Sequence, residues 1–378
     1  MVWNSLNAVV GRRATVYTVQ QITTDAQVLT GSALCSYFNS HFANLSREFG
    51  AHGHGNPFID FPYIVQASIF LAPVDANEVL SVFTNLRNSR IIDAFGMQIS
   101  PIKRVIHYIA IPLTYTFNLC LSSGVFPKDM QVAKVMPLHK GGDLEIASNY
   151  RPISILPVFS KGFEKLIYTR LLHFFDKHSV ITDSQYGFRM HRSTELALLK
   201  QKQIILNNFE SRYLTLGIFL DLSKAFDSIN HDILIRKLSF YGIRGVALSL
   251  ISSYLRYHCN WVAINNFESG PIEITCGVPQ GSILGPLLFN IYINDIVFLS
   301  SGAEFILYAD DTSMFLSGTD PEVLFGAANV LLANLSQWAS ANHLKINPNK
   351  TKAILFKPRN KVVTLASEIT LGNDRIEI

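Results

Sequence analysis

The chain has 378 residues, 48% hydrophobic and 16% charged, a balance that supports a large core and excludes a disordered polymer. A net charge of +4 permits a nucleic-acid partner without requiring one. Four cysteines with no Cys-x-x-Cys pair argue against a zinc site or a disulfide framework and fit a reducing compartment. No apolar signal core opens the sequence, so an intracellular protein is expected, cytoplasmic or nuclear and not secreted.

Residues 1–100 read as a helical N-terminal extension without an assigned role. Ala33–Leu45 is aromatic-rich and helical, and Ala51–Pro62 is a Gly/Pro-broken loop whose His52 and His54 lack a third metal ligand. Asp75–Arg87 and Ile102–Leu121 read as helices. The run Val105–Phe126 carries no charged residue, but His107, Pro112 and Asn118 interrupt it. A buried helix is therefore expected there, and no membrane contact.

Further on, Val132–Leu138 is strand-like, and His139–Asp143 is a turn. Asn149–Ser154 leads into a helix near Lys161–Lys177, and Gln185–Arg189 is a loop. Ser193 or Thr194 then caps a helix to about Asn208. Leu214–Leu220 is a nearly continuous apolar strand that delivers Asp221 at its end, and His231–Tyr241 is helical. Gly277–Ser282 is a Gly/Pro-broken loop that opens an apolar helix from Pro286 to about Leu299, expected in the core.

Phe305–Tyr308 and Ser313–Leu316 flank the polar centre Asp310-Asp311 and predict a tight β-hairpin. Asp320-Pro321 opens a helix to about Asn342, Lys352–Phe356 is a strand, and Glu368–Ile378 is a hairpin turning at Gly372-Asn373-Asp374.

Two apolar strands thus end in carboxylates, Asp221 and Asp310-Asp311. Pairing them in one sheet would bring the charges together, and at about 5 Å two such charges repel by roughly 3 kcal/mol at an effective dielectric near 20. Divalent cations would remove that cost. A pair of Mg²⁺ ions about 4 Å apart is a known device for in-line displacement at phosphorus.

Eight blocks in order carry a family resemblance. They are Phe117-Asn118 with Gly124-x-Phe126-Pro127; Pro137–Lys140; Asn149-Tyr-Arg-Pro-Ile-Ser154; Tyr186-Gly-Phe-Arg189 with Ser193-Thr194; Asp221-Leu-Ser-Lys-Ala-Phe226-Asp227; Gly277-Val-Pro-Gln-Gly-Ser282; Tyr308-Ala-Asp-Asp311; and Leu344–Asn347 with Lys350-Thr351. Together they resemble the reverse transcriptase domain of non-LTR (LINE-like) retrotransposons, most like the jockey-type elements of animals, over about residues 113–356.

The resemblance implies an α/β (α+β) right-hand polymerase, with residues 101–378 forming fingers and palm. It implies an RNA-directed DNA polymerase that uses dNTPs, an RNA template, a DNA primer and two Mg²⁺ ions, with Mn²⁺ as an alternative. No protein partner is indicated. Asp221, Asp310 and Asp311 match the family's metal-binding aspartates. Asp310 is expected to hold metal more directly, because neighbouring strand residues point to opposite faces.

Other matches follow residue by residue. Phe226 matches the ring that crowds the sugar 2′-hydroxyl, which favours deoxynucleotides over an RNA polymerase's substrates. Gln280 matches a contact to the incoming nucleotide, and Gly277 and Gly281 suit a backbone close to a ligand. Lys140 and Arg151 match triphosphate-gripping residues. Lys350 matches a proposed general acid to pyrophosphate. Arg189 and Arg192 are expected on template phosphates. Asp227 reads instead as a helix-start carboxylate near Asn230.

Two departures stand out. Arg90–Gly96 occupies the place of the family's Gly-x-Asp-Gly stretch. Ile378 falls where the primer-gripping hairpin and the thumb should begin, so a truncated copy is expected. The alternative reading is an inactive copy that acts at most as a nucleic-acid-binding protein.

Overall fold

A strand apolar along its whole length needs cover on both faces, and Leu214–Leu220 receives it. In the computed structural model, which describes residues 19–24, 27–50, 57, 64–358, 368–372 and 374–378, this strand lies in the middle of a sheet. The order is 304–308, 311–318, 214–220, 352–356, and every neighbouring pair is antiparallel. Six of its seven residues are buried. His52, His54 and Asn373 lie outside the described residues.

A second sheet runs in the order 150–155, 132–139, 259–264, 267–268, with 272–273 also on 259–264. Its middle pair, Val132–Val135 with Cys259–Val262, is parallel. Tyr150–Ile155 is therefore a strand rather than a lead-in, and the helix behind it starts earlier than expected, at Val158. The helix Val246–Leu255 and the strand Cys259–Ile264 have no counterpart in the sequence reading.

Helices cover both sheets. The helix Gly31–Gly50 lays Phe38 and Phe42 on Tyr150, Val135 and Val262 of the second sheet. Its Asn39 Nδ2 donates to the carbonyls of Asn260, at 3.1 Å, and Gly270, at 2.8 Å. In the main core, Lys237 of the helix His231–Phe240 is fully buried and donates to Asp295 Oδ1 and the Tyr292 carbonyl, each at 2.6 Å. Trp338 Nε1 donates to the other oxygen of Asp295 at 3.2 Å, so one buried carboxylate ties three elements together. Removing a single partner of such a pair leaves a buried charge uncompensated.

The expectation of a buried helix at Val105–Phe126 needs correction. The helix spans Ile99–Ser123, and Gly124 ends it in the left-handed conformation at φ +71°. Ile106, Phe117, Cys120 and Leu121 are buried, with Phe117 stacked on Phe83 and Phe163. Tyr108, Ile111, Tyr115 and Leu119 form an exposed apolar stripe at helical spacing. By length and composition alone the helix could cross a membrane, although its other face is docked in the main core.

The apolar helix expected over 286–299 also divides. It runs as an α-helix over Gly285–Tyr292 and continues as a 3₁₀ helix over Asn294–Leu299.

Candidate functional site

The sheet places the carboxylates. Thr312 pairs with Leu220, so the next residues along the two strands are Asp311 and Asp221, side by side at the sheet's end. On the hairpin's other side Tyr308 pairs with Asp311, which leaves Ala309 and Asp310 as a two-residue turn. Asp310 is thus on the turn, not the strand, and the alternation argument for ranking it above Asp311 does not apply. Burial, then Asp310 and Asp221, push the Asp311 carboxyl up from its ordinary value.

Ala309 has φ +55°, a left-handed conformation that costs a non-glycine residue about 1–2 kcal/mol. The buried side chain of Gln185 holds it there, because its Oε1 accepts from Ala309 N at 3.1 Å and from Gly187 N at 2.7 Å. Tyr186 N donates to the Leu307 carbonyl at 2.7 Å, and Leu307 N to that of Ser184 at 2.8 Å, so residues 184–187 extend the sheet edge. Gly187 permits this approach, since a Cβ there would stand 2.3 Å from Ala309 N.

Beyond Asp221, Leu222–Ser223 pairs with Lys345–Ile346, and Asn347 N donates to the Asp221 carbonyl at 2.9 Å. The following turn sets Lys350 Nζ 3.6 Å from Asp221 Oδ2. Lys140 closes the hairpin end of the second sheet, next to the cross-strand pair Leu138 and Arg151. Its ammonium is held below the ordinary lysine value by burial, then by Arg151 and Lys350, while Asp227 and Asp221 pull the other way. Lys140 thus lies near Arg151 and Lys350 and also near Asp221 and Asp227.

The loop before the helix Gly285–Tyr292 is pinned to the turn after Asp221. Gly277 N donates to the Ile229 carbonyl at 2.7 Å, Val278 N to that of Phe226 at 2.9 Å, and Ser154 N to that of Gln280 at 2.8 Å. Gly277 (φ +83°) and Gly281 (φ +120°) do permit close approach, but to this chain's own backbone. A Cβ would lie 2.8 Å from the Asp227 carbonyl at Gly277 and 2.6 Å from that of Ser154 at Gly281. Glu164, wholly buried, accepts from Ile283 N at 2.7 Å and Leu284 N at 3.1 Å, and burial pushes its carboxyl up to about 7.

Asp227 is not a helix-start carboxylate. Asn230 caps that helix itself, accepting from Ile233 N, while Gln280 Nε2 donates to both Asp227 oxygens, at 2.8 and 2.9 Å. Burial pushes this enclosed carboxyl up to about 6, against the opposing pull of Gln280, Lys224 and Lys140. Phe226, half-buried, stacks on Phe289 at 4.4 Å and meets Phe188 edge-on at 6.4 Å.

Arg189 and Arg192 are tied to their own loop. Arg189 donates to the Thr182 carbonyl at 2.8 Å, and Arg192 pairs with Asp183 at 3.0 Å while lying over the Tyr186 ring. Sequence reasoning missed Gln185 and Glu164 as supports. Gln185 stood next to a recognised block, whereas Glu164 gave no signal within its helix.

The donors around the sheet's end are all hard oxygens. Among the described residues no group of three or more His, Cys, Asp or Glu forms a metal cage of its own. Carboxylate oxygens are hard donors of the kind that Mg²⁺ takes.

A family model described as "Reverse transcriptase (RNA-dependent DNA polymerase)" matches residues 138–370. The probable RNA-directed DNA polymerase from transposon BS of Drosophila melanogaster is 29% identical over 306 residues, 76% of this chain and 32% of that protein. The RNA-directed DNA polymerase from mobile element jockey of the same organism is 30% identical over 255 residues, 65% of this chain and 28% of that protein. The corresponding protein from transposon X-element is 27% identical over 298 residues, 77% of this chain and 33% of that protein. The matched segments span only about a third of these relatives' lengths. With the family match covering more than half of its length, the chain belongs to the reverse transcriptase family, and it is similar to the RNA-directed DNA polymerases of non-LTR, jockey-like elements.

Proposed function

We propose that this chain is the polymerising part of a non-LTR retrotransposon reverse transcriptase, which extends a DNA primer 3′-hydroxyl with dNTPs on an RNA template. The observation that carries this reading is the placement of Asp221, Asp310 and Asp311 together at one end of the first sheet, with Lys350 against Asp221 and with Lys140, beside Arg151 on the second sheet, near Asp221 as well. Opposed charges of both signs around an open space suit a polyphosphate accompanied by divalent cations.

In this reading residues 101–378 make up fingers and palm of a right-hand polymerase, with residues 1–100 as an extension. Asp221, Asp310 and Asp311 hold Mg²⁺, or Mn²⁺ in its place. When bound, the cations would lower the cost of charge on the attacking and leaving oxygens. Lys140 and Arg151 grip the triphosphate, Arg151 with a fork of donors and Lys140 as a compact charge. Lys350, beside Asp221, is set to give a proton to departing pyrophosphate. Phe226 limits room at the sugar, Gln280 contacts the nucleotide, and Arg189 and Arg192 meet template phosphates.

Primer extension on poly-rA/oligo-dT tests the reading, with dNTP or rNTP and with Mg²⁺ or EDTA. The expected product needs dNTP and Mg²⁺ and disappears with EDTA. Tight binding of the duplex with no extension under any condition would overturn the enzymatic reading in favour of a binding protein.

A further inference from the structure

We infer that Asp227 is a positioning residue for the nucleotide, acting by fixing which way the Gln280 side-chain amide faces. The inference rests on the reading of Gln280 as a nucleotide contact and adds the group that orients it. Gln280 Nε2 lies 2.8 Å from Asp227 Oδ1 and 2.9 Å from Oδ2. An ionised carboxylate only accepts, so it takes the –NH₂ end and rejects the carbonyl end of the amide. Left alone, a glutamine amide can turn over at little cost and offer a ligand either a donor or an acceptor. Held by Asp227, Gln280 turns Oε1 away from that carboxylate, so a substrate meeting it finds an acceptor in a constant place.

Asp227 is itself held firmly. Its own N–H and that of Ser228 donate to the Lys224 carbonyl, at 2.9 and 3.1 Å, in a turn where Lys224 adopts φ +50°. The Asp227 carbonyl accepts from the Cys276 thiol at 3.6 Å and closely faces Gly277. The turn begins just after Asp221, on the strand that carries it. One short segment thereby fixes both the carboxylate end of the sheet and the amide on the facing loop. Lys224 and Lys140 are the nearby cations that favour the charged form of Asp227.

The test is a double-mutant cycle on the full chain, measuring kcat, KM for dNTP and KM for primer-template, with melting curves for every variant. Gln280→Ala should raise KM for dNTP. Asp227→Ala should raise it about tenfold, the usual worth of a hydrogen bond to a charged group, with kcat and the primer-template KM nearly unchanged. In the Gln280→Ala background Asp227→Ala should add nothing further. Asp227→Asn, which keeps the shape but lets the amide pair in either sense, should give a smaller rise and keeps the test open if the alanine variant folds poorly. Should Gln280→Ala leave KM for dNTP unchanged, the nucleotide role of Gln280 fails and the inference falls with it. Should Gln280→Ala raise KM while Asp227→Ala has no effect or multiplies it independently, the inference alone is overturned.

Discussion

The side-chain oxygen of Gln185 accepts a hydrogen bond from the backbone N–H of Ala309, and with it holds in place the turn that presents Asp310. Gln185→Leu would strip a partner from both Ala309 N and Gly187 N, at about 1–3 kcal/mol for each buried donor left unmet. Gly187→Ala would drive a methyl group into the Ala309 backbone. Both variants should melt earlier and lose most extension activity, because the turn can no longer close. A Gln185→Leu protein with wild-type melting and activity would contradict this role.

The carboxylates should separate activity from stability. Asp221→Asn and Asp310→Asn should abolish extension, and Asp311→Asn should be milder. Because Asp311 is repelled by Asp310 and Asp221, its neutralisation should leave the metal-free melting temperature unchanged or raise it. Near-wild-type extension by Asp310→Asn would rule out the metal assignment.

Sugar choice should follow Phe226. Its ring rests on Phe289 and edges toward Phe188, so Phe226→Val opens space beside both rings. The variant should accept rNTPs while keeping dNTP use, and the ratio of the two kcat/KM values measures it. An unchanged ratio would make Phe226 a packing residue only.

Glu164 predicts a pH dependence of stability. Its carboxyl sits at about 7 in the folded chain against 4.5 as the ordinary value, so the folded state binds the extra proton between them. Its stabilising contribution is therefore full below about 4.5 and lost as pH rises through 7, on the order of 3 kcal/mol in all. Glu164→Gln keeps an acceptor for Ile283 N and Leu284 N but carries no charge. Its melting temperature relative to wild type should climb from pH 5 to pH 8, and parallel profiles would disprove the assignment.

Asp183 sits against both Arg189 and Arg192. If these arginines meet phosphates, Asp183→Asn should tighten RNA binding. Arg192→Ala should weaken it evenly across sequences and reduce the salt slope by about one. Salt-independent binding would be the contrary result.

Much of this architecture was legible in the residues because apolar runs with polar ends are local signals. Leu214–Leu220 ending in Asp221, and the hairpin around Asp310-Asp311, needed only their own composition. The bond from Gln280 to Asp227 joins residues far apart in sequence, and nothing local marks a turn aspartate as its acceptor. The same holds for Glu164 beneath the start of a distant helix. The long helix Ile99–Ser123 was misjudged because composition reports how apolar a helix is, not which of its faces other elements cover. Gly277 and Gly281 suggest a ligand close to the backbone, but tertiary structure brings this chain's own carbonyls, of Asp227 and Ser154, to them instead.

The strand that carries Asp221 has its two neighbours at 311–318 and 352–356, both later in the chain. The strand 132–139 likewise waits for 259–264 to supply its parallel partner. During synthesis these segments emerge with open edges and must be held from premature pairing until roughly a hundred further residues arrive. Contacts of such long range form slowly. Shortening the chain before residue 352 should therefore not yield a smaller enzyme but an aggregating one, with an unpaired apolar edge beside Asp221.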